Sequence, residues 1–215
     1  MPLFYIARHG ETVFNAAERV QGAAPHTPLT RSGFAQADEM GLALRTLLGP
    51  KPDLILWSSP TGRALQTLAI VAEHLELDWN EARVDARLDE MSMGQWGGRF
   101  YRDIERDHGP FIDRAAGLFR ARPPGGEWYE GIAERLRSWL DDIAGDDGDR
   151  LIVTHGISSR VLRGVLTGAP DRPECGAPVA DALPQGSIVR IEGGLETVVH
   201  RGGGGLGASG QSAPA

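Results

Sequence analysis

The chain has 215 residues, of which 41% are hydrophobic and 24% charged, values that are ordinary for one globular domain. No stretch is apolar enough to cross a bilayer, and the N-terminus lacks the features of a signal peptide, so we expect a cytoplasmic protein. A net charge of −7 argues against a nucleic-acid or anionic-membrane partner, and the single cysteine, Cys175, excludes an internal disulfide and a thiolate metal cage.

The first predicted strand covers Leu3 to Ala7. Its residues are apolar without alternation, which is typical of a strand that is buried on both faces. Arg8, His9 and Gly10 follow at its carboxyl end, where ligands bind in open α/β sheets. A permanently charged guanidinium, an imidazole that is neutral near pH 7 and a glycine that permits a sharp turn together suit an anionic ligand.

The next part of the chain predicts a helix, a strand and a second helix. Thr30 is a good N-cap for a helix whose apolar spacing runs from Gln36 to Leu48. A second strand covers Asp53 to Trp57, and a proline then opens a helix from Thr61 to Leu75. Arg63 lies in the first turn of that helix, where the helix dipole disfavours a cation unless an anion shares the site. Arg63 is therefore either a solvated side chain or a phosphate clamp.

A weak third strand over Arg83 to Leu88 leads to two adjacent carboxylates, Asp89 and Glu90. The segment from Met91 to Arg122 is rich in glycine, arginine and aspartate and contains two plausible helices, so we expect it to form a lid over the strand ends. A Pro-Pro-Gly-Gly turn then precedes a helix from about Trp128 to Ile143, whose apolar residues share one face.

A second His-Gly pair follows the fourth predicted strand. Arg150 to Thr154 form another buried-strand pattern, which ends at His155 and Gly156. Two predicted strands that are far apart in sequence thus each place a histidine and a glycine at the same edge of one sheet. Packing alone does not explain this arrangement.

The remaining chain predicts a helix over Ser158 to Leu166, a Pro/Gly-rich loop, and a terminal hairpin of Ser187 to Ile191 with Glu196 to Arg201. Residues 202–215 form a glycine-rich tail that we expect to be flexible. Strands that alternate with helices predict a three-layer α/β/α sandwich in one domain over residues 1–201. Its central sheet is mostly parallel, with a helical lid over the carboxyl ends of the strands.

Four candidate functional residues follow four successive strand ends: His9, Arg63, Glu90 and His155. With Arg8, this set suits phosphoryl transfer, in which catalysis consists mostly of positioning and charge stabilisation. His9 would attack phosphorus through Nε2 while a backbone carbonyl holds its Nδ1–H. Glu90 would protonate the leaving alkoxide and then activate water, and Asp89 is the rival for this role.

Several blocks of the sequence carry a resemblance: Arg8 to Thr12 with Asn15, Gln21-Gly22 and Pro28 to Thr30; Ser58 to Pro60 with Arg63-Ala64 and Gln66-Thr67; Leu88 to Glu90 with Gly94 to Trp96 and Gly98; Pro124 to Glu127; and Val153 to Gly156. In this order they resemble the histidine phosphatase superfamily, the phosphoglycerate mutase-like proteins, from Leu3 to about Ile191. The resemblance implies that His9 is phosphorylated and that Glu90 is the proton donor. It implies that three residues bind the phosphoryl group: Arg8, Arg63 and His155. Further contacts are expected from Thr12, Asn15, Gln21, Gly22 and the amide of Gly156.

The residues after Glu90 separate two kinds of enzyme. They read Met-Ser-Met-Gly-Gln-Trp, the shorter pattern of the phosphatase branch, where the mutases of the family carry an Arg-x-Tyr-Gly block. We therefore favour a phosphomonoesterase that uses neither metal nor cofactor and acts on a small phosphorylated metabolite. The alternative is a cofactor-dependent, phosphoglycerate mutase-type transfer of the phosphoryl group.

Two further hypotheses rank lower. A non-catalytic sensor of phosphorylated ligands would have lost a catalytic residue, yet His9, Glu90 and His155 are all present. A metal-dependent hydrolase would need a ligand pattern such as His-x-x-x-His, which neither histidine motif contains. The sequence leaves the oligomeric state open, with a homodimer as one option.

Overall fold

The computed structural model describes residues 2–205, and the rest of the predicted tail, residues 206–215, lies outside the described residues. The α-helices are α1 (Val13–Ala16), α2 (Arg31–Leu48), α3 (Gly62–Leu75), α4 (Tyr101–His108), α5 (Tyr129–Asp142) and α6 (Gly156–Thr167). The strands are β1 (Phe4–Arg8), β2 (Ile55–Ser58), β3 (Arg83–Val84), β4 (Ile112–Asp113), β5 (Leu118–Phe119), β6 (Arg150–Thr154), β7 (Asp171–Arg172), β8 (Ala177–Pro178), β9 (Ile188–Glu192) and β10 (Leu195–His200). Within residues 2–205, no helix combines the length and the apolarity that membrane crossing requires.

The described chain is built on a six-stranded sheet in the order β10-β9-β1-β6-β2-β3. Strands β1, β6, β2 and β3 run parallel to one another, whereas β9 is antiparallel to both β1 and β10. The carboxyl ends of the four parallel strands therefore meet along one edge. Ligands of open α/β sheets bind at this edge, and every catalytic candidate follows one of these four strands.

Two apolar clusters cover the two faces of the sheet. Successive residues of a strand point to opposite faces, and Tyr5 of β1 accordingly joins the cluster under α2 and α3, while Ile6 joins the cluster under α5 and α6. The indole rings of Trp57 and Trp139 pack edge to face in the cluster that contains Ile6, with ring centroids 5.4 Å apart. This arrangement is the predicted three-layer α/β/α sandwich.

Local side-chain caps account for two wrong predictions. The predicted strand over Arg83 to Leu88 ends after Val84, because the carboxylate of Asp85 accepts the N–H of Arg87 and starts a short 3-10 helix over Ala86–Leu88. The second predicted lid helix is wrong as well. The carboxylate of Asp113 accepts the N–H groups of the two residues at 115 and 116, and this turn connects β4 to β5 as a hairpin. Aspartate competes with regular backbone pairing in this way wherever it caps a turn.

The start of the predicted tail is held by hydrogen bonds. The N–H of Gly202 donates to the hydroxyl of Ser187, and the carbonyl of Gly205 accepts from the N–H of Gln185 and from Nη1 of Arg8. A side chain at position 202 would lie within 1.9 Å of the carbonyl oxygen of Gln185, so only glycine allows this close approach. Residues 202–205 of the predicted tail therefore pack against the segment from Gln185 to Ser187, and the flexibility of the tail stays a prediction.

The loop after β1 crosses the start of α2 at backbone contact distance. A β-carbon on Gly33 would lie 2.0 Å from the carbonyl oxygen of Glu11, and one on Gly10 would lie 2.3 Å from the carbonyl oxygen of Gly33. The hydroxyl of Thr30 caps α2 by accepting the N–H of Gly33. The catalytic loop therefore rests directly on the helix.

Replacement of Gly33 by alanine is expected to lower the free energy of unfolding by about 1–2 kcal/mol. Contact with a backbone oxygen at 2.0 Å places the overpacking cost in the upper part of the usual range of about 1–3 kcal/mol, and alanine offsets about 1 kcal/mol of it in a helix interior. Chemical denaturation measures the change, with Gly145→Ala as the control because its methyl group meets nothing within 4 Å. A Gly33→Ala variant as stable as the unmodified chain would contradict the close crossing.

Candidate active site

A cleft opens at the carboxyl edge of the sheet and encloses about 820 Å³, including the space open to solvent at its mouth. Seven of the predicted site residues line it: Arg8, His9, Asn15, Gln21, Gly22, Glu90 and Gly156. The other three predicted residues, Thr12, Arg63 and His155, are fully buried behind its wall. Residues that are distant in sequence thus meet at one site, as the strand ends predict.

The geometry of His9 leaves one of its ring nitrogens with a free lone pair. Its Nδ1 lies 2.6 Å from the carbonyl oxygen of Gly10. A carbonyl can only accept, so Nδ1 carries the hydrogen and Nε2 keeps its lone pair. Burial, followed by the charges of Arg63 and Arg8, lowers the pKa of His9 well below its ordinary value. The imidazole is therefore uncharged near neutral pH, with the tautomer that the sequence argument requires.

His155 has the opposite tautomer. Its ring stands edge-on to that of His9, with centroids 5.1 Å apart. Its Nδ1 lies 3.2 Å from Nε of Arg63, and its Nε2 lies 2.7 Å from Oγ of Ser59. The Nε of an arginine only donates, so Nδ1 of His155 is the acceptor and the hydrogen is on Nε2. Burial, and then the charge of Arg63, lowers the pKa of His155 well below its ordinary value.

The guanidinium of Arg63 joins a loop to this histidine. Besides His155, it donates to the carbonyls of Gly22 and Ala24 at 2.7 and 2.6 Å and to the hydroxyl of Thr27 at 3.0 Å. Its partners are thus carbonyls, a hydroxyl and an imidazole, and burial lowers its pKa to about 10. Arg63 is therefore neither solvated nor misplaced, and its contact with a phosphoryl group remains a prediction, as does that of His155.

The guanidinium of Arg8 lines the cleft and has one N–H, on Nε, without a hydrogen-bond partner among the described residues. Its Nη1 donates to the carbonyls of Leu183 and Gly205, both at 3.1 Å. Its Nε is buried and has no hydrogen-bond partner in the described part of the chain. A β-carbon on Gly156 would lie 3.5 Å from that Nε, so the start of α6 and the guanidinium meet at one point. A buried donor without a partner is costly, and an anionic oxygen placed here would satisfy it.

Glu90 occupies the N-terminus of α6. Its carboxylate accepts the backbone N–H groups of Met91, Ile157 and Ser158 at 2.9, 3.1 and 3.1 Å, and it lines the cleft. Asp89 faces away from the cleft, and its carboxylate accepts the hydroxyl of Ser59 at 2.7 Å. Of the two adjacent carboxylates, only Glu90 is placed to meet a leaving group.

Thr12 supports the cleft from behind. Its hydroxyl accepts the N–H of Asn15 at the start of α1 and lies 2.8 Å from Oδ1 of that residue and 2.5 Å from Oε1 of Gln21. The side-chain amide of Gln185 donates to the same Oδ1 at 2.8 Å. Thr12 thus orients Asn15 and Gln21, which line the cleft themselves.

Sequence reasoning assigned no role to three residues that shape the site. Ser59 lies in a block that carries the family resemblance, but the sequence does not show that its hydroxyl contacts His155. Arg135 donates to the backbone carbonyl of Asp89 at 2.8 Å and pairs with Glu127, yet it is one of many polar residues on an amphipathic helix. Arg160 lines the cleft and donates to two backbone carbonyls, and it has no distinguishing signal.

Within residues 2–205, no three His, Cys, Asp or Glu side chains are grouped as a metal ion would require.

Comparison with known proteins gives a family match over most of the chain. A model of the histidine phosphatase superfamily (branch 1) matches residues 4–194. A Caenorhabditis elegans protein named 6-phosphofructo-2-kinase/fructose-2,6-bisphosphatase is 34% identical over 190 residues, which cover 87% of this chain and 38% of that protein. The chain therefore spans well under half the length of that relative.

A second relative and a solved structure match over comparable lengths. A protein of Salmonella paratyphi C (strain RKS4594) named probable phosphoglycerate mutase GpmB is 32% identical over 169 residues, 77% of this chain and 75% of that protein. The solved structure called Mycobacterial hydrolase 1 is 26% identical, with a TM-score of 0.73 and 88% of each chain covered. The fold agrees with the α/β/α sandwich that the sequence predicts. The family match covers the residues that line the cleft and agrees with the resemblance seen in the sequence.

Proposed function

This chain belongs to the histidine phosphatase superfamily (branch 1), and on that basis we propose that it is a metal-independent phosphomonoesterase that needs no cofactor. Its substrate is a small phosphorylated metabolite, not a nucleic acid or a membrane, and the cytoplasm is the compartment that we assign to it. One observation carries the proposal. His9 and Arg8 both line the cleft: His9 holds its hydrogen on Nδ1, which leaves the lone pair of Nε2 for a nucleophilic attack, and the buried Nε–H of Arg8 has no partner among the described residues.

In the first step, Nε2 of His9 attacks phosphorus, the N–P bond forms and the P–O bond to the alcohol breaks. Glu90, in its protonated form, gives its proton to the departing oxygen. Negative charge on the equatorial oxygens is stabilised by Nε of Arg8 and by the N–H of Gly156 at the start of α6. Both donors are fixed before the substrate arrives, so little reorganisation is needed during the reaction.

In the second step, water attacks the phosphoryl group on His9. The carboxylate of Glu90 takes a proton from this water, the N–P bond breaks, and inorganic phosphate leaves with His9 again neutral. The three backbone N–H groups around Glu90 suit the carboxylate that this step needs. One residue thus serves as acid and then as base.

A mutase is the second candidate, because the Salmonella relative is named as one. A mutase would return the phosphoryl group to a hydroxyl of a bound product, whereas a phosphatase gives it to water. The short pattern after Glu90 supports the phosphatase.

The test is a panel of phosphomonoesters assayed with a chelator present, with free phosphate and the isomerisation of 3-phosphoglycerate measured side by side. We expect phosphate release that the chelator does not change, and isomerisation far below it. Isomerisation above phosphate release would favour the mutase. Loss of activity with the chelator, or binding of phosphate without turnover on any substrate, would contradict the proposal.

A further inference from the structure

A continuous chain of hydrogen bonds runs behind the wall of the cleft. It connects Nε of Arg63 to Nδ1 of His155 at 3.2 Å, Nε2 of His155 to Oγ of Ser59 at 2.7 Å, and Oγ of Ser59 to Oδ1 of Asp89 at 2.7 Å. None of these four residues lines the cleft. This chain of hydrogen bonds ends at the carboxylate of Asp89, which takes no part in the proposed reaction.

The two ends of this chain fix the direction of every bond in it. Nε of Arg63 can only donate, and an ionised carboxylate can only accept. Ser59 has one hydrogen, which it gives to Asp89, so its oxygen accepts from His155 and from the N–H of Thr61 at 3.2 Å. Only one arrangement of hydrogens satisfies all of these contacts, and it places the hydrogen of His155 on Nε2.

Loss of the acceptor at position 89 removes one of the two constraints and leaves only the N–H of Arg63 to hold the hydrogen of His155 on Nε2. The hydroxyl of Ser59 is then free to turn and donate to Nε2 of His155, which moves the ring hydrogen to Nδ1. That hydrogen would face the N–H of Arg63 across 3.2 Å, where two donors repel each other. Asp89 therefore acts together with Arg63 to keep the hydrogen on Nε2 and to preserve the contact between His155 and Arg63.

Several charged groups face this carboxylate. Burial raises the pKa of Asp89, and the nearby charge of Glu90 acts in the same direction. The hydrogen bond from Ser59 and the charges of Arg135 and Arg63 oppose the increase. Arg135 also donates to the backbone carbonyl of Asp89 and so holds the segment in place.

We propose that Asp89 is a positioning residue, which acts through the hydroxyl of Ser59 to keep the hydrogen of His155 on Nε2 and Nδ1 as the acceptor for Arg63. The catalytic consequence of this role rests on the proposed function. Asp89 contacts neither His9 nor the cleft, and its task differs from that of Glu90. The two adjacent carboxylates then serve different histidines: Glu90 acts with His9, and Asp89 orients His155.

The tautomer of His155 is measured directly by the ¹⁵N shifts of its ring nitrogens in the full chain, assigned by comparison with a His155→Gln variant. We expect the hydrogen on Nε2 in the unmodified chain and in Asp89→Asn, whose side-chain carbonyl still accepts from Ser59. In Asp89→Ala, the signals should shift towards the Nδ1–H form. Ser59→Ala lacks the hydroxyl that would donate to Nε2, so it should keep the Nε2–H form. Asp85→Asn is the matched control, because asparagine also caps the short 3-10 helix and position 85 has no contact with Ser59 or His155.

The second readout is kinetic. Asp89→Ala is expected to lower kcat/KM by about 10- to 100-fold, the scale on which loss of an orienting outer partner acts at metal sites, while Asp89→Asn and Asp85→Asn stay close to the unmodified chain. Unchanged ring-nitrogen shifts in Asp89→Ala would overturn the proposal, as would the Nδ1–H form in Asp85→Asn or in Ser59→Ala. If Asp89→Ala does not fold, Asp89→Leu decides, because leucine keeps the size of the side chain and lacks the acceptor. The shifts need no turnover, so a chain inactive on every substrate would contradict the proposed function without affecting this result.

Discussion

Replacement of His9 by alanine is expected to lower turnover of every phosphomonoester by at least about 10⁴-fold, the scale on which loss of a nucleophile acts in other enzymes. The variant loses the proposed nucleophile, so the nearby donors no longer have a transition state to stabilise. The fold should survive, because the ring makes one hydrogen bond, to the carbonyl of Gly10, and one edge contact with His155.

The measurement is kcat, with the thermal transition recorded for the same samples. His74→Ala is a suitable control, because this histidine lies in α3 beside Asp38 and away from the cleft. It should retain full activity. Substantial turnover by a folded His9→Ala variant would move the nucleophile to another residue.

Replacement of Glu90 by glutamine is expected to slow alkyl phosphates by about 10²- to 10⁴-fold and nitrophenyl phosphate far less. An alkoxide needs a donated proton in order to leave, whereas nitrophenolate leaves without one. Glutamine keeps the size of the side chain and a carbonyl that accepts from the start of α6, so the local structure should be preserved.

The comparison with Asp89→Asn assigns the proton donor. If Glu90 is the acid, only its replacement produces losses that depend on the leaving group. Equal losses for both substrates in Glu90→Gln, together with a leaving-group effect in Asp89→Asn, would transfer the role to Asp89.

Much of the fold follows from patterns that are local in sequence. Apolar runs such as those ending at Arg8 and Thr154 identify buried strands, and Thr30 marks the start of a long helix correctly. The strand after Arg83 and the second lid helix were wrong because one aspartate side chain in each segment, Asp85 or Asp113, captures backbone N–H groups. Such a capture depends on geometry that propensity alone does not contain.

The site was predictable to the level of which residues meet. His9 and Glu90 both line the cleft, since residues that follow neighbouring parallel strands must lie at the same edge. Side-chain direction was not predictable. Arg63 and His155 lie behind the wall, and the contact of Ser59 with Asp89 depends on rotamers that no spacing in the sequence encodes.

The central claim is that His9 carries the phosphoryl group during turnover, and trapping this intermediate tests it most directly. Samples mixed with substrate and quenched in alkali, in which phosphohistidine survives, are digested and mapped by mass spectrometry. We predict one phosphoryl group on Nε2 of His9, formed and lost fast enough to account for kcat, and no such group in His9→Ala. Turnover without any phosphorylated peptide, or with the group on another residue, would contradict the claim.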